Sequence, residues 1–116
     1  MLLSHQSSIV QGSKYDKFLA DTYNLDPVPS VDQLLTPGGL YYSANIWLNK
    51  KPGSYFAYSN TNYGLLGTLI EALTNQRFDI YMRNNILGPL NITGSYNLND
   101  LGDIADLAVI YREDQP

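Results

Sequence analysis

The 116-residue sequence contains no cysteine, no run of basic residues and no long apolar segment. Without cysteine there is no disulfide, no thiolate nucleophile and no thiolate metal ligand. Seven basic and eleven acidic residues give a net charge of −4, so nucleic acids and anionic membrane surfaces are poor candidate partners. No stretch approaches the roughly 20 apolar residues that span a bilayer, and we expect no membrane span.

Groups that signal catalysis or metal binding are also scarce. No serine is followed three positions later by lysine, and neither Lys-Thr-Gly nor Gly-x-Ser-x-Gly occurs. His5 is the only histidine. It is either a general base, since imidazole titrates near neutrality, or a structural residue that hydrogen-bonds locally and holds a loop; the structural interpretation is favoured. No carboxylates at ligand spacing accompany it, so the sequence predicts no metal and no cofactor.

What is present is an ordinary globular composition, with 44% hydrophobic residues and an unusual ten tyrosines. The length predicts at most one domain. Tyrosine buries area while keeping a polar tip, which suits clefts and interfaces, although half-buried surface positions explain the count equally well. The first residues lack the basic and apolar regions of a signal peptide, so they do not indicate a compartment.

Apolar periodicity predicts several short helices in the first half of the chain. Residues 14–25 follow the helical template, and residues 2–10 read as a short helix or helix end. Ser30 and Gln33 form a capping-box pattern before a helix through residues 31–35. Residues 41–47 are predicted to be a loop, with Trp47 filling the core.

The second half contains the clearest helix. We expect it to begin at an Asn62 N-cap and to end at Asn75, the residue type that best replaces glycine in a left-handed cap. Its predicted buried face comprises Leu66, Leu69, Ile70 and Leu73. Another helix is predicted over residues 78–86, with Phe78, Tyr81, Met82 and Ile86 turned inward. Residues 108–111 are a short strand candidate, with a hairpin expected near Tyr96 and Tyr111.

Between these halves, residues 52–67 read PGSYFAYSNTNYGLLG. Pro52-Gly53 is a strong turn dipeptide. The triplet Tyr58-Ser59-Asn60 then lies where an extended segment gives way to a helix. It presents a phenol, a hydroxyl and a carboxamide from one anchored loop, the kind of position where binding and catalytic groups concentrate.

This segment resembles the middle motif region of the serine β-lactamase and penicillin-binding-protein superfamily, in the branch of class C β-lactamases, D-Ala-D-Ala carboxypeptidases and esterases. Three other stretches are similar to family segments in the same order. Residues 2–8 resemble Leu-Leu-Thr-His-Thr-Ser-Gly, residues 88–94 resemble Pro-Leu-Gly-Met-x-x-Thr, and Tyr111-Arg112-Glu113 resembles a Gly-Tyr-Arg strand. Because the resemblance is collinear over nearly the whole chain, it is far more specific than the triplet alone.

The resemblance implies that residues 1–116 are a partial β-lactamase-like domain: the helical portion, mainly α with short β pieces, of an α+β fold. It implies that Tyr58 is a general acid/base and that Asn60 binds the acyl carbonyl of a small-molecule or peptide substrate, while Ser59 points away. The nucleophile and third motifs of the family would lie outside the chain, so we expect it to be inactive alone. Family members are often extracytoplasmic.

Two further hypotheses remain open at this stage. The chain is either a non-catalytic helical binding or interaction module derived from that scaffold, or a helical structural domain whose likeness is accidental. Coordinates with Tyr58 and Asn60 buried in a core would favour the accidental likeness. Loss of the family's sheet would expose apolar surface, so the chain is also expected to self-associate or to have mobile ends.

Overall fold

The computed structural model describes residues 1–97 and 100–108 and divides the chain into two compact units, Met1–Asn75 and Gln76–Pro116. Helices predominate in the described residues, which contain no β-strand and a single isolated antiparallel bridge between Ile9 and Trp47. The prediction of a mainly helical fold is confirmed. The predicted strand at 108–111, its hairpin and the Tyr111-Arg112-Glu113 segment extend beyond the described residues.

Helix α1, Tyr15–Asn24, is the helix predicted over residues 14–25. Its inward face buries Tyr15 and Phe18, as the helical spacing of these aromatics requires. On the same helix, Asp21 accepts hydrogen bonds from Lys17 Nζ at 2.6 Å and from Tyr41 Oη at 2.8 Å. The Lys17 bond, then the Tyr41 bond, lower the pKa of the Asp21 carboxyl below its usual value.

The core of the first unit is small and is supplied by residues between positions 9 and 46. Its buried apolar residues are Ile9, Tyr15, Phe18, Leu34, Tyr41 and Ile46. Ile46 belongs to a 3-10 turn, Ala44–Ile46, inside the predicted 41–47 loop. The prediction that Trp47 fills the core is wrong, because the side chain is 47% exposed and Ile46 takes the interior position.

Two other local predictions for this unit are also wrong. Residues 2–10 form turns rather than a helix. Helix α2, Asp32–Leu35, exists, but it lacks a capping box, because the Ser30 hydroxyl donates to the Asp32 carboxylate instead of accepting from the helix backbone. The Asp32 carboxylate, two residues away, competes with the helix backbone for the hydrogen bond of the Ser30 hydroxyl.

Helix α3, Asn60–Thr74, begins three residues earlier than predicted, because Ser59, in extended conformation, occupies the N-cap position expected for Asn62. Asn62 therefore lies inside the first turn, and its side chain is fully buried. The predicted C-cap is confirmed: Asn75 has φ 53°, in the left-handed region, and its N–H bonds to Glu71 O. The predicted apolar stripe is less buried than expected, with Leu69 49% and Leu73 77% exposed.

The second unit contains the helix predicted over residues 78–86, divided into α4, Phe78–Met82, and a π-helical turn, Arg83–Leu87. Its predicted inward residues Phe78, Tyr81 and Met82 are half-buried, whereas Ile86 is exposed. The Phe78 ring packs edge-on against Tyr96, with centroids 5.0 Å apart. A 3-10 turn, Ile104–Asp106, follows.

Candidate active site

The segment that leads into α3 is anchored at both of its ends. Gly53 adopts φ 85°, so the Pro52-Gly53 turn uses the conformation that glycine tolerates best. Its N–H donates to Gln6 O at 2.7 Å, and Ala57 N–H donates to His5 O at 2.9 Å. These two bonds tie residues 53–57 to the N-terminal turn and fix the point at which Tyr58 leaves the backbone.

Tyr58 and Asn60 lie side by side. Tyr58 Oη donates to Asn60 Oδ1 at 2.7 Å, and both side chains are exposed, Tyr58 by 62%. The intervening Ser59 has extended dihedral angles, φ −157° and ψ 124°. Successive side chains of extended backbone alternate in direction, so residues 58 and 60 share the outer side. Burial of these two side chains in a core would have favoured an accidental likeness to the family, and both are exposed instead.

Ser59 faces inward, opposite to its two neighbours, and is completely buried. Within the described part of the chain its hydroxyl has no hydrogen-bond partner, and neither does that of the buried Thr61. Its backbone N–H, however, donates to the His5 ring at Nδ1, 3.3 Å away. The expectation that Ser59 points away from the displayed pair therefore agrees with the geometry.

A buried polar network joins the start of α3 to the N-terminal turn. Asn62 Oδ1 accepts from Ser7 Oγ at 2.6 Å, and Asn62 Nδ2 lies 3.3 Å from His5 Nδ1. Ser7 Oγ in turn accepts from Ile9 N–H at 3.1 Å. Asn62 and Ser7 were not among the predicted site residues. The sequence explains Asn62 as a helix N-cap, and no local pattern distinguishes that role from burial within the first turn.

Aromatic rings surround His5. The ring centroids of Tyr58, Tyr63 and Phe56 lie 4.6, 5.3 and 5.9 Å from that of His5. Tyr63 also donates its hydroxyl to Leu3 O at 3.3 Å. His5 therefore makes local contacts that hold the loop, which is the structural interpretation favoured for it from sequence.

The lysines nearest in sequence to the Tyr58–Asn60 pair are Lys50 and Lys51. Lys50 Nζ is 5.8 Å from the centroid of the Tyr55 ring, and its neighbour Lys51 has no ion pair among the described residues. Residues 1–97 and 100–108 contain no cluster of histidine, cysteine and carboxylate side chains that could hold a metal. In the same ranges, no helix has the length and apolar character needed to cross a membrane.

A cavity of about 440 Å³ lies in the second unit, among residues that include Thr93, Ser95, Asp103 and Leu107. Neither Tyr58 nor Asn60 lines it. The Asp103 carboxylate is already bound by Ala105 N–H at 2.8 Å, as the N-cap of the 3-10 turn. The described lining therefore includes neither residue of the displayed pair, and the acidic group of the cavity has a structural partner.

Comparison with known proteins gives a family match over the whole chain. A family model described as "Beta-lactamase" matches residues 1–116. The chain is 48% identical over 46 residues to "Protein flp" of Staphylococcus aureus strain NCTC 8325 / PS 47, and 41% identical over 46 residues to a "Putative D-alanyl-D-alanine carboxypeptidase" of Escherichia coli K12. Each match covers 40% of this chain, but only 9% and 11% of those relatives. No solved structure gives a significant match.

Proposed function

This chain belongs to the beta-lactamase family, and from that premise we propose that it is a segment of a serine hydrolase that cleaves amide, β-lactam or ester bonds through an acyl-enzyme. We also propose that residues 1–116 are the helical part of one such domain. The observation that carries the proposal is the exposed Tyr58–Asn60 pair. Its two side chains are joined by a hydrogen bond of 2.7 Å, and Asn60 is the first residue of α3.

The absence of a recognisable nucleophile makes the chain inactive alone in this proposal. An acyl-enzyme requires a serine activated by an adjacent base, and no Ser-x-x-Lys occurs in the sequence. The matched stretch spans about a tenth of the curated relatives' length, so those proteins contain far more polypeptide than is present here. The attacking serine, its lysine and the third motif are therefore assigned to polypeptide outside this segment.

Tyr58 is assigned the general acid/base role. Its phenol would carry the proton between the attacking serine and the leaving group of the substrate. A phenol accepts a proton near neutral pH only beside cations that stabilise its anion. Since Lys50 lies over Tyr55, that positive field is assigned to the lysine residues of the missing motifs.

Asn60 is assigned to substrate binding. A carboxamide has one accepting oxygen and two donating N–H groups. Asn60 Oδ1 accepts from Tyr58 Oη, which leaves Nδ2 to donate to the acyl carbonyl of a small-molecule or peptide substrate. One side chain would in this way orient both the proton carrier and the bond to be cleaved.

The alternative is a non-catalytic helical binding module that retains this scaffold. A fluorescent penicillin, followed by mass measurement, separates the two. We expect no covalent adduct on the 116-residue chain. We expect one adduct on a longer polypeptide in which a Ser-x-x-Lys motif precedes this segment in the sequence.

In that longer polypeptide, Tyr58→Phe should lower the acylation rate by roughly 10²- to 10⁴-fold, the range supplied by a positioned proton carrier. Tyr23→Phe is the matched control, because Tyr23 is 82% exposed near the end of α1, and it should leave the rate unchanged. An adduct on the isolated chain, or full acylation by Tyr58→Phe, would contradict the proposal; no adduct on the longer polypeptide would favour the binding module.

A further inference from the structure

We propose that His5 is a positioning residue that fixes the direction of the Tyr58 phenol through its ring and through its Nδ1 lone pair. This inference rests on the function proposed above, since it concerns the geometry of the same pair. It assigns His5 no contact with substrate and no share in proton transfer.

The first step is that His5 is itself held firmly. Its backbone has φ 53°, a left-handed conformation that non-glycine residues adopt at some cost unless the surroundings impose it. Here its N–H donates to Leu2 O at 3.1 Å and its carbonyl accepts from Ala57 N–H at 2.9 Å. The residue is thus bonded on both sides of its own Cα, which directs the imidazole toward the start of α3.

The second step is the protonation pattern of the ring. Two donors converge on Nδ1: the Ser59 N–H and the Asn62 Nδ2, each at 3.3 Å. Since Asn62 Oδ1 already accepts from Ser7, its Nδ2 is oriented as a donor toward His5. An imidazole nitrogen can accept only when it carries no proton. The neutral ring therefore has its proton on Nε2.

The third step connects this ring to Tyr58. Ser59 is bonded through its backbone to Nδ1, while the Tyr58 ring packs against the same imidazole at 4.6 Å. The exposed Tyr58 side chain consequently has two restraints, the His5 ring at its side and Asn60 at its hydroxyl. A long aromatic side chain with 62% exposure would otherwise sample several rotamers, and each departure would misplace the proton carrier.

Because His5 is the only histidine, ¹⁵N NMR of the imidazole in the 116-residue chain needs no assignment. We expect the Nε2-protonated tautomer of the neutral imidazole, together with nuclear Overhauser contacts from the imidazole to the rings of Tyr58 and Tyr63, of which Tyr58→Phe identifies the first. A protonated Nδ1, a free exchange of both tautomers, or the absence of contacts with Tyr58 would overturn the proposal.

Two variants separate the acceptor from the ring. His5→Asn places a carboxamide oxygen near the position of Nδ1 and removes the ring, whereas His5→Phe retains a ring and removes the acceptor. Exchange of the buried Ser59 N–H with solvent should stay slow in His5→Asn and accelerate by about tenfold in His5→Phe, the loss of one modest hydrogen bond. Equal exchange in both variants would contradict an acceptor role, provided circular dichroism shows both folded.

Kinetics in the longer polypeptide then distinguish this inference from the proposed function. We expect His5→Phe to lower kcat by roughly 10²-fold with KM within about twofold, and His5→Asn to recover part of the loss. If Tyr58→Phe has no effect, the proposed function fails. If Tyr58→Phe is inactive while both His5 variants retain full kcat, the positioning role fails and the proposed function stands.

Discussion

At the scale of single residues, the interior of the site depends on Asn62. Its carboxamide is completely buried and uses both ends, accepting from Ser7 and donating toward His5. A buried group of this kind has a large effect when it is removed, because its partners lose their bonds without gaining water. The displayed Asn60 differs, since solvent can replace its partner.

Asn62→Ala should therefore destabilise the first unit by about 1–3 kcal/mol, the cost of leaving buried polar partners unsatisfied. Asn60→Ala is the matched control: it deletes the same atoms two positions earlier, at an exposed position, and should change the free energy of unfolding by less than about 0.5 kcal/mol. Urea unfolding followed by circular dichroism measures both. Equal effects of the two substitutions would show that the network does not stabilise the fold.

The sequence was informative about the outer side chains of the site and silent about the inner ones. The family resemblance implied that Ser59 points away from Tyr58 and Asn60, and these two side chains are joined by a hydrogen bond on the outer side. The pairing of Ser7 with Asn62 spans 55 positions, and no local pattern predicts a contact at that separation. The roles of Tyr58 and Asn60 remain predictions.

At the scale of elements, helical periodicity predicted the existence of α1, α3 and α4 because it reads a local repeat. The ends were predicted less well. Asn75 was identified correctly, since the left-handed cap restricts residue type. The start of α3 was missed, because Ser59 caps through its backbone conformation and has no side-chain cap bond that a motif could reveal.

A charged pair lies at the start of α4. Arg77 Nε and Nη2 donate to the two Asp79 oxygens at 3.1 and 2.6 Å, and the Asp79 side chain is only 11% exposed. Burial raises the pKa of Asp79, but the Ile80 N–H, the Arg77 guanidinium and the Asn97 side chain together outweigh it and lower the net value. The folded state of the second unit thus binds this proton less readily than the unfolded state.

A lowered carboxyl pKa gives stability that is fully present above the unfolded value, about 4, and that is lost as pH falls through the folded value. We expect the α4 region to lose protection from hydrogen exchange as pH falls below about 4, once rates are corrected for intrinsic pH dependence. In Asp79→Asn this acid-dependent loss should shrink, since the titrating group is absent. An identical loss in the variant would assign the acid sensitivity to other carboxylates.

At the scale of the whole molecule, the described residues bury few apolar side chains and expose many. Six form the buried core, whereas Leu3, Phe56, Leu69 and Leu73 are each 49–77% exposed. Soluble monomers rarely display large contiguous apolar patches. In the proposed longer hydrolase, such surface would pack against the remaining polypeptide. The sequence of this segment cannot reveal that packing, because periodicity shows that a helix face is apolar but does not show what covers it.

The isolated 116-residue chain should therefore self-associate, and α3 offers a specific test. Leu69 and Leu73 lie four residues apart on one helix face. The double substitution Leu69→Glu with Leu73→Lys removes apolar area and supplies a favourable i, i+4 ion pair, so the helix should remain folded.

Sedimentation equilibrium of the unsubstituted chain should give a mass above the 13.0 kDa monomer that rises with concentration. The double variant should shift toward monomer, whereas the control Val28→Lys, at another exposed apolar position, should not. A monomer that is independent of concentration in the unsubstituted chain would mean that these faces do not associate, and that burial against missing polypeptide is unnecessary for solubility.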